Sequence, residues 1–257
     1  MTTQNDKARA FRDLHVAGTP LVLYNIWDAG SAKAVEHAGA AALATGSWSA
    51  AAAQGHEDGE EMPLDNALCL ARQVVSGTRL PVTFDFEGAY ALAPADVAAN
   101  TCKLIETGVV GLNFEDQVVG KPGLHAITDQ AKRIRAIRSA ADKAGVPIFI
   151  NARTDLFLKA ETGTNHASLI EQAIEREAAY REAGADGYFV PGLTQPELIR
   201  SICQRASLPI NVMAGDGFDD IAAIAGLGVA RVSFGPSPYI ALMATLKERA
   251  AKAMATR

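Results

Sequence analysis

The sequence predicts an α/β fold of the (β/α)8 or TIM-barrel type, because short β-branched runs alternate with longer amphipathic stretches eight times in 257 residues. Glycine closes many of the amphipathic stretches, as in EHAGA, ETGVVG, DKAGVP and REAGAD. Glycine is favoured there because the residue after a helix often takes a left-handed conformation. A doubly wound open sheet is the competing fold, but no glycine-rich phosphate turn follows the first apolar run.

A helix over about 4–17, within the N-terminal segment 1–19, is predicted to precede the barrel. The eight strands are predicted at 21–27, 42–46, 81–87, 110–116, 147–154, 187–192, 209–215 and 230–235. The helices between and after them are predicted at 29–39, 64–77, 94–107, 127–144, 166–183, 194–206, 217–226 and 237–254. Because no linker or low-complexity segment interrupts this pattern, residues 1–257 are predicted to form one domain.

The composition excludes several classes of partner. Lys and Arg total 24 against 29 Asp and Glu, a net charge of -5 without a basic stripe, so nucleic acid is not expected to bind. The polar N-terminus lacks the apolar segment of a signal peptide, and no apolar run reaches the ~18 residues of a membrane span. The three cysteines are interpreted as reduced core residues, so a cytoplasmic enzyme without membrane contact is expected.

Acidic residues end two neighbouring strand candidates, with Asp85 and Glu87 in PVTFDFEG and Glu115 beside Asp116 in VGLNFEDQ. Side chains alternate along a strand, so Asp85 and Glu87 are expected to point the same way. Barrel active sites lie at the carboxyl ends of the strands, where converging carboxylates repel one another unless a cation lies between them. Mg²⁺ is the predicted cation, with Mn²⁺ possible. The alternative is a buried ion network with arginines.

Further candidates lie on the same face of the predicted barrel. Asp58, in the loop HEDGEE, either joins the acidic cluster or is one of many surface acids. Arg153 shares a strand face with Asn151, and it is expected to hold a substrate carboxylate, to pair with Glu115 or Asp155, or both. The loop Thr45-Gly46-Ser47 exposes N–H groups to an anion or simply packs tightly. Asn211 on the seventh strand is also predicted to bind the substrate, as are Asn151 and Arg153.

The positions of the lysines argue against one class of mechanism. No Lys ends a predicted strand, where an aldolase that forms a Schiff base would need one. Lys121, in the loop after the fourth strand, is the nearest candidate. A Schiff-base mechanism is therefore not expected.

In their order and spacing, these motifs resemble the isocitrate lyase and phosphoenolpyruvate mutase superfamily, whose members include oxaloacetate decarboxylases and methylisocitrate lyases. The resemblance covers about residues 7–250. It is carried by Asp58, by the Gly-Ser stretch after the second strand, and by five segments: NIWDAGSA (25–32), DFEG (85–88), FED (114–116), NAR (151–153) and RVSFGPSPY (231–239).

The resemblance implies a Mg²⁺-dependent lyase that cleaves a small α-keto or α-hydroxy carboxylate through an enolate. Asp85 would be the direct metal ligand, and Asp58, Glu87 and Glu115 would act through water. Thr45, Gly46 and Ser47 match the segment that binds the substrate carboxylate and keto oxygen. The implied catalytic residues are Arg153, Glu115 and Lys121, which matches a lysine of the mutase branch. A homo-oligomer, either a dimer or a tetramer, with an exchanged C-terminal helix is also implied.

The sequence departs from the family pattern at three places. Glu87 replaces the usual second aspartate, the fourth loop QVVGKPGLH lacks the catalytic cysteine of isocitrate and methylisocitrate lyases, and Pro191 stands where relatives often have His or Glu. The shortened loop argues against isocitrate lyase activity. A P–C bond mutase or hydrolase, or a barrel that binds metal and carboxylate with reduced catalysis, remain the alternatives.

Overall fold

Eight parallel strands form the centre of the molecule in a computed structural model that describes residues 2–215 and 217–255. The hydrogen-bonded order is β1-β8-β7-β6-β5-β4-β3-β2, and a parallel bridge between Ile26 and Thr45 joins the two ends of the sheet. This arrangement confirms the predicted barrel. The strands are β1 Leu21–Leu23, β2 Leu43–Ala44, β3 Val82–Asp85, β4 Gly111–Glu115, β5 Phe149–Arg153, β6 Gly187–Phe189, β7 Ile210–Met213 and β8 Arg231–Ser233.

Helices surround the barrel and most bury an apolar face against it, whereas α10 buries only Pro238. They are α1 Gln4–Asp13, α2 Ala29–His37, α3 Ser47–Ala53, α4 Leu64–Ser76, α5 Pro94–Ile105, α6 Ile127–Ala144, α7 Ile170–Glu182, α8 Pro196–Arg205, α9 Ile221–Ala225 and α10 Ser237–Met254. The helix α3 lies in a segment predicted as a loop, and its alanine-rich sequence explains why it is helical. A 3₁₀ turn over His166–Leu169 begins the segment predicted as one helix over 166–183.

Some of the predicted details lie outside the described residues or differ from the structure. Met1, Asp216, Thr256 and Arg257 belong to the predicted domain 1–257 but are not described. The interpretation of the cysteines as core residues was wrong for Cys69 and Cys102, which are free and exposed. Within 2–215 and 217–255, no helix has the length and apolar character needed to cross a bilayer.

The helix α1 closes the bottom of the barrel. Phe11 is fully buried, and its ring packs edge-on against Phe149 with centroids 5.6 Å apart. His15, just after α1, stacks on the same Phe149 ring at 4.1 Å and bonds through Nδ1 to the carbonyl oxygen of Phe11 at 2.8 Å. Because this aromatic cluster fills the lower end of the barrel, a ligand has access from the opposite end, where the strands terminate.

Burial of His15 makes the stability of the protein depend on pH. Burial, with a smaller repulsion from Arg231, lowers the pKa of His15 to about 3. The folded state keeps the ring neutral while the unfolded state binds a proton below its ordinary pKa of 6.5. Stability is therefore lost as pH falls, by roughly 2 to 3 kcal/mol between about pH 6.5 and 4.5. We expect His15→Leu to remove this part of the slope in urea unfolding measured across that range.

The same substitution at His37, on the exposed end of α2, is the matched control and is expected to keep the wild-type slope. An unchanged slope in His15→Leu would contradict the assignment of this pH dependence to His15.

Candidate active site

A cavity of about 230 Å³ opens at the carboxyl ends of the strands. Every strand contributes a lining residue directly or through the loop that follows it, and Asn25 is the contribution from the loop after β1. Its described lining residues are Asn25, Gly46, Ser47, Trp48, Asp58, Asp85, Asn113, Arg153, Leu158, Phe189, Pro191, Met213, Ser233, Gly235 and Pro236. The position agrees with the general location of active sites in such barrels.

Asp85 ends β3 and is held in place from two sides. The N–H group of Ser47 donates to Asp85 Oδ2 at 3.0 Å, and the backbone N–H of Asp85 donates to the Thr45 hydroxyl at 2.9 Å. The other carboxylate oxygen, Oδ1, is buried without a hydrogen-bond partner. A buried polar atom without a partner is costly, so this oxygen is suited to accept a ligand that the protein itself does not supply.

Two more acids lie next to Asp85. The hydroxyl of Ser47 is 3.4 Å from Asp58 Oδ1, and burial followed by repulsion from Asp85 raises the pKa of Asp58. Glu87 is buried and accepts a bond from the N–H of Glu60 at 2.8 Å. Burial and the negative charges of Glu115, Asp58 and Asp85 raise the pKa of Glu87 to about 9. The acids therefore form a cluster with excess negative charge.

Glu87 reaches this cluster differently from the prediction. The strand β3 ends at Asp85, and Glu87 has a left-handed backbone with φ of 49°, as do Ala89 and Tyr90 with 63° and 55°. The alternation of a strand therefore does not extend to Glu87. Non-glycine residues rarely adopt positive φ, and such strain is concentrated near functional sites.

Arg153 connects the acidic cluster to the wall of the cavity. Its Nη1 pairs with Glu115 Oε2 at 3.0 Å, while Nε and Nη2 bind the two oxygens of Asp155 at 2.6 and 3.0 Å. Burial opposes its charge, but the two carboxylates outweigh that effect and raise the pKa of Arg153. Burial raises the pKa of Glu115, which also accepts from Gln117, although Arg153 opposes the shift. Arg153 thus pairs with Glu115 and with Asp155, the two acids considered as its partners in the sequence analysis.

The donor set fits a magnesium-type ion bound largely through water. In the described part of the chain, no three His, Cys, Asp or Glu side chains meet closely enough to ligate one ion directly. Asp85, which lines the cavity, has a buried oxygen Oδ1 without a partner, and its charge interacts with those of Asp58, Glu87 and Glu115. Mg²⁺ usually keeps several water ligands and binds one or two carboxylates, so these residues suit it.

A polar layer in the barrel forms the floor of the cavity. Asp85, Asn113 and Asn151 lie side by side in the strand register, and Asn151 Nδ2 donates to Asn113 Oδ1 at 2.8 Å. Gly187 is required next to Asn151, because a Cβ there would lie 2.8 Å from Asn151 Oδ1. Asn211 exchanges bonds of 3.2 and 3.3 Å with the hydroxyl of Ser233. These amides support the floor of the cavity.

Arg231 was missed as a site residue by the sequence reasoning. It is fully buried in this polar layer, where Nη2 donates to Asn113 Oδ1 at 3.2 Å and Nη1 has no partner. Burial lowers the pKa of Arg231 to about 9, and the charge of Asp85 opposes the shift. A single arginine inside the apolar run ARVSFG was the available signal, because a buried charge needs a compensating partner.

The structure separates the predicted site residues into three groups. Those that line the cavity are Gly46, Ser47, Asp58, Asp85 and Arg153. Those buried beneath or beside it are Thr45, Glu87, Glu115, Asn151 and Asn211. Lys121 is in neither group: it is exposed, and its N–H bonds to the carbonyl of Val118 at 3.0 Å in a turn. Its catalytic role therefore stays a prediction without support from the geometry.

Asp116, which follows Glu115 at the end of β4, is turned away from the cavity. It is fully buried, with Oδ2 paired to Arg176 Nη1 at 2.9 Å and accepting from the Tyr180 hydroxyl at 2.7 Å. Its Oδ1 accepts from the N–H of Asp155 at 2.9 Å. Since Asp155 holds Arg153, Asp116 supports the site through the backbone.

Several lining residues were not predicted at all. Asn25, in the motif NIWDAGSA, accepts from the N–H groups of Phe234 and Gly235 at 2.8 and 2.9 Å and donates to Thr45 O at 2.8 Å. In the same motif, Asp28 caps α2 by accepting from the N–H of Ser31 at 2.6 Å. Within this motif, Asn25 thus belongs to the site and Asp28 caps a helix. Apart from Pro191, which departs from the family pattern, the apolar lining residues gave no signal, because apolar strand ends are expected anywhere in a barrel.

The fold and the site together define an α/β-barrel enzyme with an acidic centre and one arginine in its described cavity lining. A family model described as phosphoenolpyruvate phosphomutase matches residues 11–254. The chain therefore belongs to the phosphoenolpyruvate phosphomutase family, within the isocitrate lyase and phosphoenolpyruvate mutase superfamily of lyases and mutases, as the sequence motifs predicted.

Individual relatives agree with this assignment. A solved structure of a "putative phosphonomutase" from Burkholderia cenocepacia J2315 is 47% identical, with a TM-score of 0.94 and coverage of 97% of this chain and 99% of that one. The 2-methylisocitrate lyase of Escherichia coli is 31% identical over 208 residues, 79% of this chain and 68% of the relative. A 2,3-dimethylmalate lyase structure is 27% identical, with a TM-score of 0.81 and coverage of 98% and 88%.

Proposed function

We propose that this enzyme is a Mg²⁺-dependent carbon–carbon lyase, with Mn²⁺ possible, acting on a small α-keto or α-hydroxy carboxylate through an enolate. The observation that carries the proposal is Asp85 Oδ1, a buried carboxylate oxygen without a partner at the cavity, surrounded by further acids. Relatives named 2-methylisocitrate lyase and oxaloacetate decarboxylase support cleavage of a carbon–carbon bond.

In this proposal Asp85 holds the ion directly, and Asp58, Glu87 and Glu115 hold it through water. When bound, the ion would supply the positive charge that stabilises an enolate oxygen in the transition state. Thr45 and Ser47 keep Asp85 in position through the two bonds described above, so the carboxylate does not have to reorganise during the reaction.

Arg153 orients the substrate carboxylate in the proposed reaction. Its guanidinium lines the cavity while Glu115 and Asp155 fix its plane. A planar guanidinium fixed in this way keeps the remaining N–H groups directed at one place, which favours binding of a carboxylate in a single orientation. Gly46 forms part of the wall next to Asn25 and Gly235, and Asn151 and Asn211 shape the floor from below rather than touching the ligand.

A barrel that binds metal and carboxylate with reduced catalysis is the second candidate, and one observation favours it. The loop after β4 folds back on itself, with the N–H of Val118 bonded to Gly123 O at 3.1 Å, and leaves Lys121 exposed. Thus the described structure places no lysine in the cavity lining. Binding without turnover in the experiment below would select this candidate.

The proposed assembly is a dimer or tetramer in the cytoplasm in which α10 is exchanged between subunits. Ile240, Leu242 and Leu246 on α10 are 50%, 50% and 58% exposed, and Leu242 and Leu246 lie one turn apart on the same side of the helix, where a partner subunit would bury them. A monomer in sedimentation equilibrium would contradict the assembly.

Oxalate, which has the shape and charge of a pyruvate enolate, tests the function. We expect Mg²⁺ and oxalate together to raise the thermal midpoint by about 5 °C or more at ligand concentrations near 100 Kd, and each alone to raise it less. Pyruvate release from a panel of oxo- and hydroxy-acids, coupled to lactate dehydrogenase, then measures turnover. Absence of both the shift and the release would contradict the proposal.

A further inference from the structure

The cavity has two walls of opposite character. The charged lining residues Asp85 and Arg153 come from β3 and β5, and Asp58 comes from the loop after α3. The strands β6, β7 and β8 and their loops supply the apolar residues Phe189, Pro191, Met213 and Pro236, flanked at the rim by Leu158 and Trp48. In a closed eight-stranded barrel, strands about four positions apart lie across the axis from each other. Met213 on β7 therefore lies across from Asp85 on β3, whereas Phe189 on β6 is the register partner of Arg153 on β5, where the two walls meet.

The apolar wall offers no partner for a second anionic group. Among the described lining residues, Arg153 is the one cation, and it already contacts Glu115 and Asp155. The polar residues on the β8 and β1 side are bonded within the protein, since Ser233 bonds Asn211 and Asn25 bonds three backbone groups. A carboxylate or phosphonate placed there would lose its hydration without gaining a counter-charge, which disfavours binding.

The charge of the cavity also matches a single carboxylate. Two carboxylates and one guanidinium line its described surface, so a divalent cation would leave one net positive charge. One substrate carboxylate balances that charge. A dianionic substrate would leave one negative charge in a cavity bordered by the buried carboxyl groups of Glu87 and Glu115.

We propose that the substrate of this enzyme carries one carboxylate, next to its keto or hydroxyl carbon, and an uncharged apolar substituent that packs on the wall formed by Phe189, Pro191, Met213 and Leu158. The inference rests on the proposed function, because the acidic wall is taken to hold the carboxylate end. Each buried methylene of such a substituent contributes roughly a fourfold gain in affinity.

A pair of 2-oxo acids of matched shape tests the inference by binding alone. In 5-methyl-2-oxohexanoate an isopropyl group replaces the distal carboxylate of 2-oxoglutarate. Competition of each acid against oxalate, with Mg²⁺ present and heat of binding as the readout, gives the two dissociation constants. We expect 5-methyl-2-oxohexanoate to bind at least about tenfold more tightly than 2-oxoglutarate, because its distal group is buried without a charge to desolvate.

A variant that adds a cation to the apolar wall provides the second measurement. Leu158 is 44% exposed at the rim, so Leu158→Lys keeps its stem in place and its ammonium hydrated. We expect this variant to shift the preference toward 2-oxoglutarate by about tenfold or more. Leu92, 64% exposed and outside the described lining of the cavity, is the matched control, and Leu92→Lys is expected to keep the wild-type ratio.

The outcomes separate this inference from the proposed function. If oxalate binds with Mg²⁺ but 2-oxoglutarate binds as tightly as its apolar counterpart, or neither acid competes, the inference is overturned and the proposed function stands. If oxalate does not bind with Mg²⁺, the proposed function fails and the inference fails with it. A wild-type preference for 5-methyl-2-oxohexanoate that Leu158→Lys reverses, and Leu92→Lys leaves unchanged, supports the inference.

Discussion

Replacing Asp85 with asparagine is expected to lower kcat/KM by on the order of 10³-fold or more while the protein stays folded. The amide would place an N–H group or a neutral oxygen where the free Oδ1 now lies. The site would then lose the carboxylate proposed to hold the ion directly. Steady-state pyruvate release and Mg²⁺ titration by calorimetry measure the loss of turnover and of metal affinity separately.

The fold of this variant is expected to be at least as stable as the wild type without metal. Asp85 repels Glu87, Asp58 and Glu115, so its neutralisation relieves part of that repulsion. Asp142→Asn, at an exposed position near the end of α6, is the control and is expected to keep both activity and metal affinity. Wild-type turnover in Asp85→Asn would rule out the assigned role of Asp85.

Replacing Asp116 with alanine is expected to produce the opposite pattern, a loss of stability as the primary effect. The variant removes the counter-charge of Arg176 and leaves the Tyr180 hydroxyl and the N–H of Asp155 without their acceptor in a buried region. Removal of one partner from a buried ion pair lowers the free energy of unfolding by about 3–5 kcal/mol. Urea unfolding monitored by circular dichroism measures the change.

The exposed pair of Asp129 with Lys132, at 2.8 Å, provides the contrast for this variant. Asp129→Ala is expected to leave the urea midpoint close to that of the wild type, because exposed ion pairs contribute little. The double variant Asp116→Ala/Arg176→Leu is expected to recover part of the lost stability by removing the uncompensated charge. Equal midpoints for Asp116→Ala and the wild type would show that the buried network does not stabilise the fold.

The comparison of these two aspartates shows how far local sequence reasoning extends. Both lie at or near the carboxyl end of a strand candidate, and both have another acid within two residues. Asp85 is at the last position of β3 and lines the cavity, whereas Asp116 follows the last residue of β4 and turns outward to α7. One residue of displacement along a strand reverses the face, and the sequence does not locate the end of a strand to one residue.

Glu87 and Arg153 also show how the prediction of a site residue depends on where its strand ends. The expectation that Glu87 shares a strand face with Asp85 depended on a strand over 81–87, but β3 ends at Asp85. Arg153 does end its strand, and the alternative interpretations of it as an ion pair with Glu115 or with Asp155 are both realised. Charge pairing across neighbouring strands was predictable because parallel register brings equivalent strand ends together.

The sequence by itself determined the barrel, the order of its elements, the family and the cluster of acids at the strand ends. These follow from periodicity and residue type, which are local properties that each segment carries wherever it folds. The tertiary structure alone decided that Asp116 is structural, that Arg231 is buried beneath Asp85, and that the wall opposite the acids is apolar. Those facts depend on which side chains meet across the barrel, and such contacts join segments that are far apart in the chain.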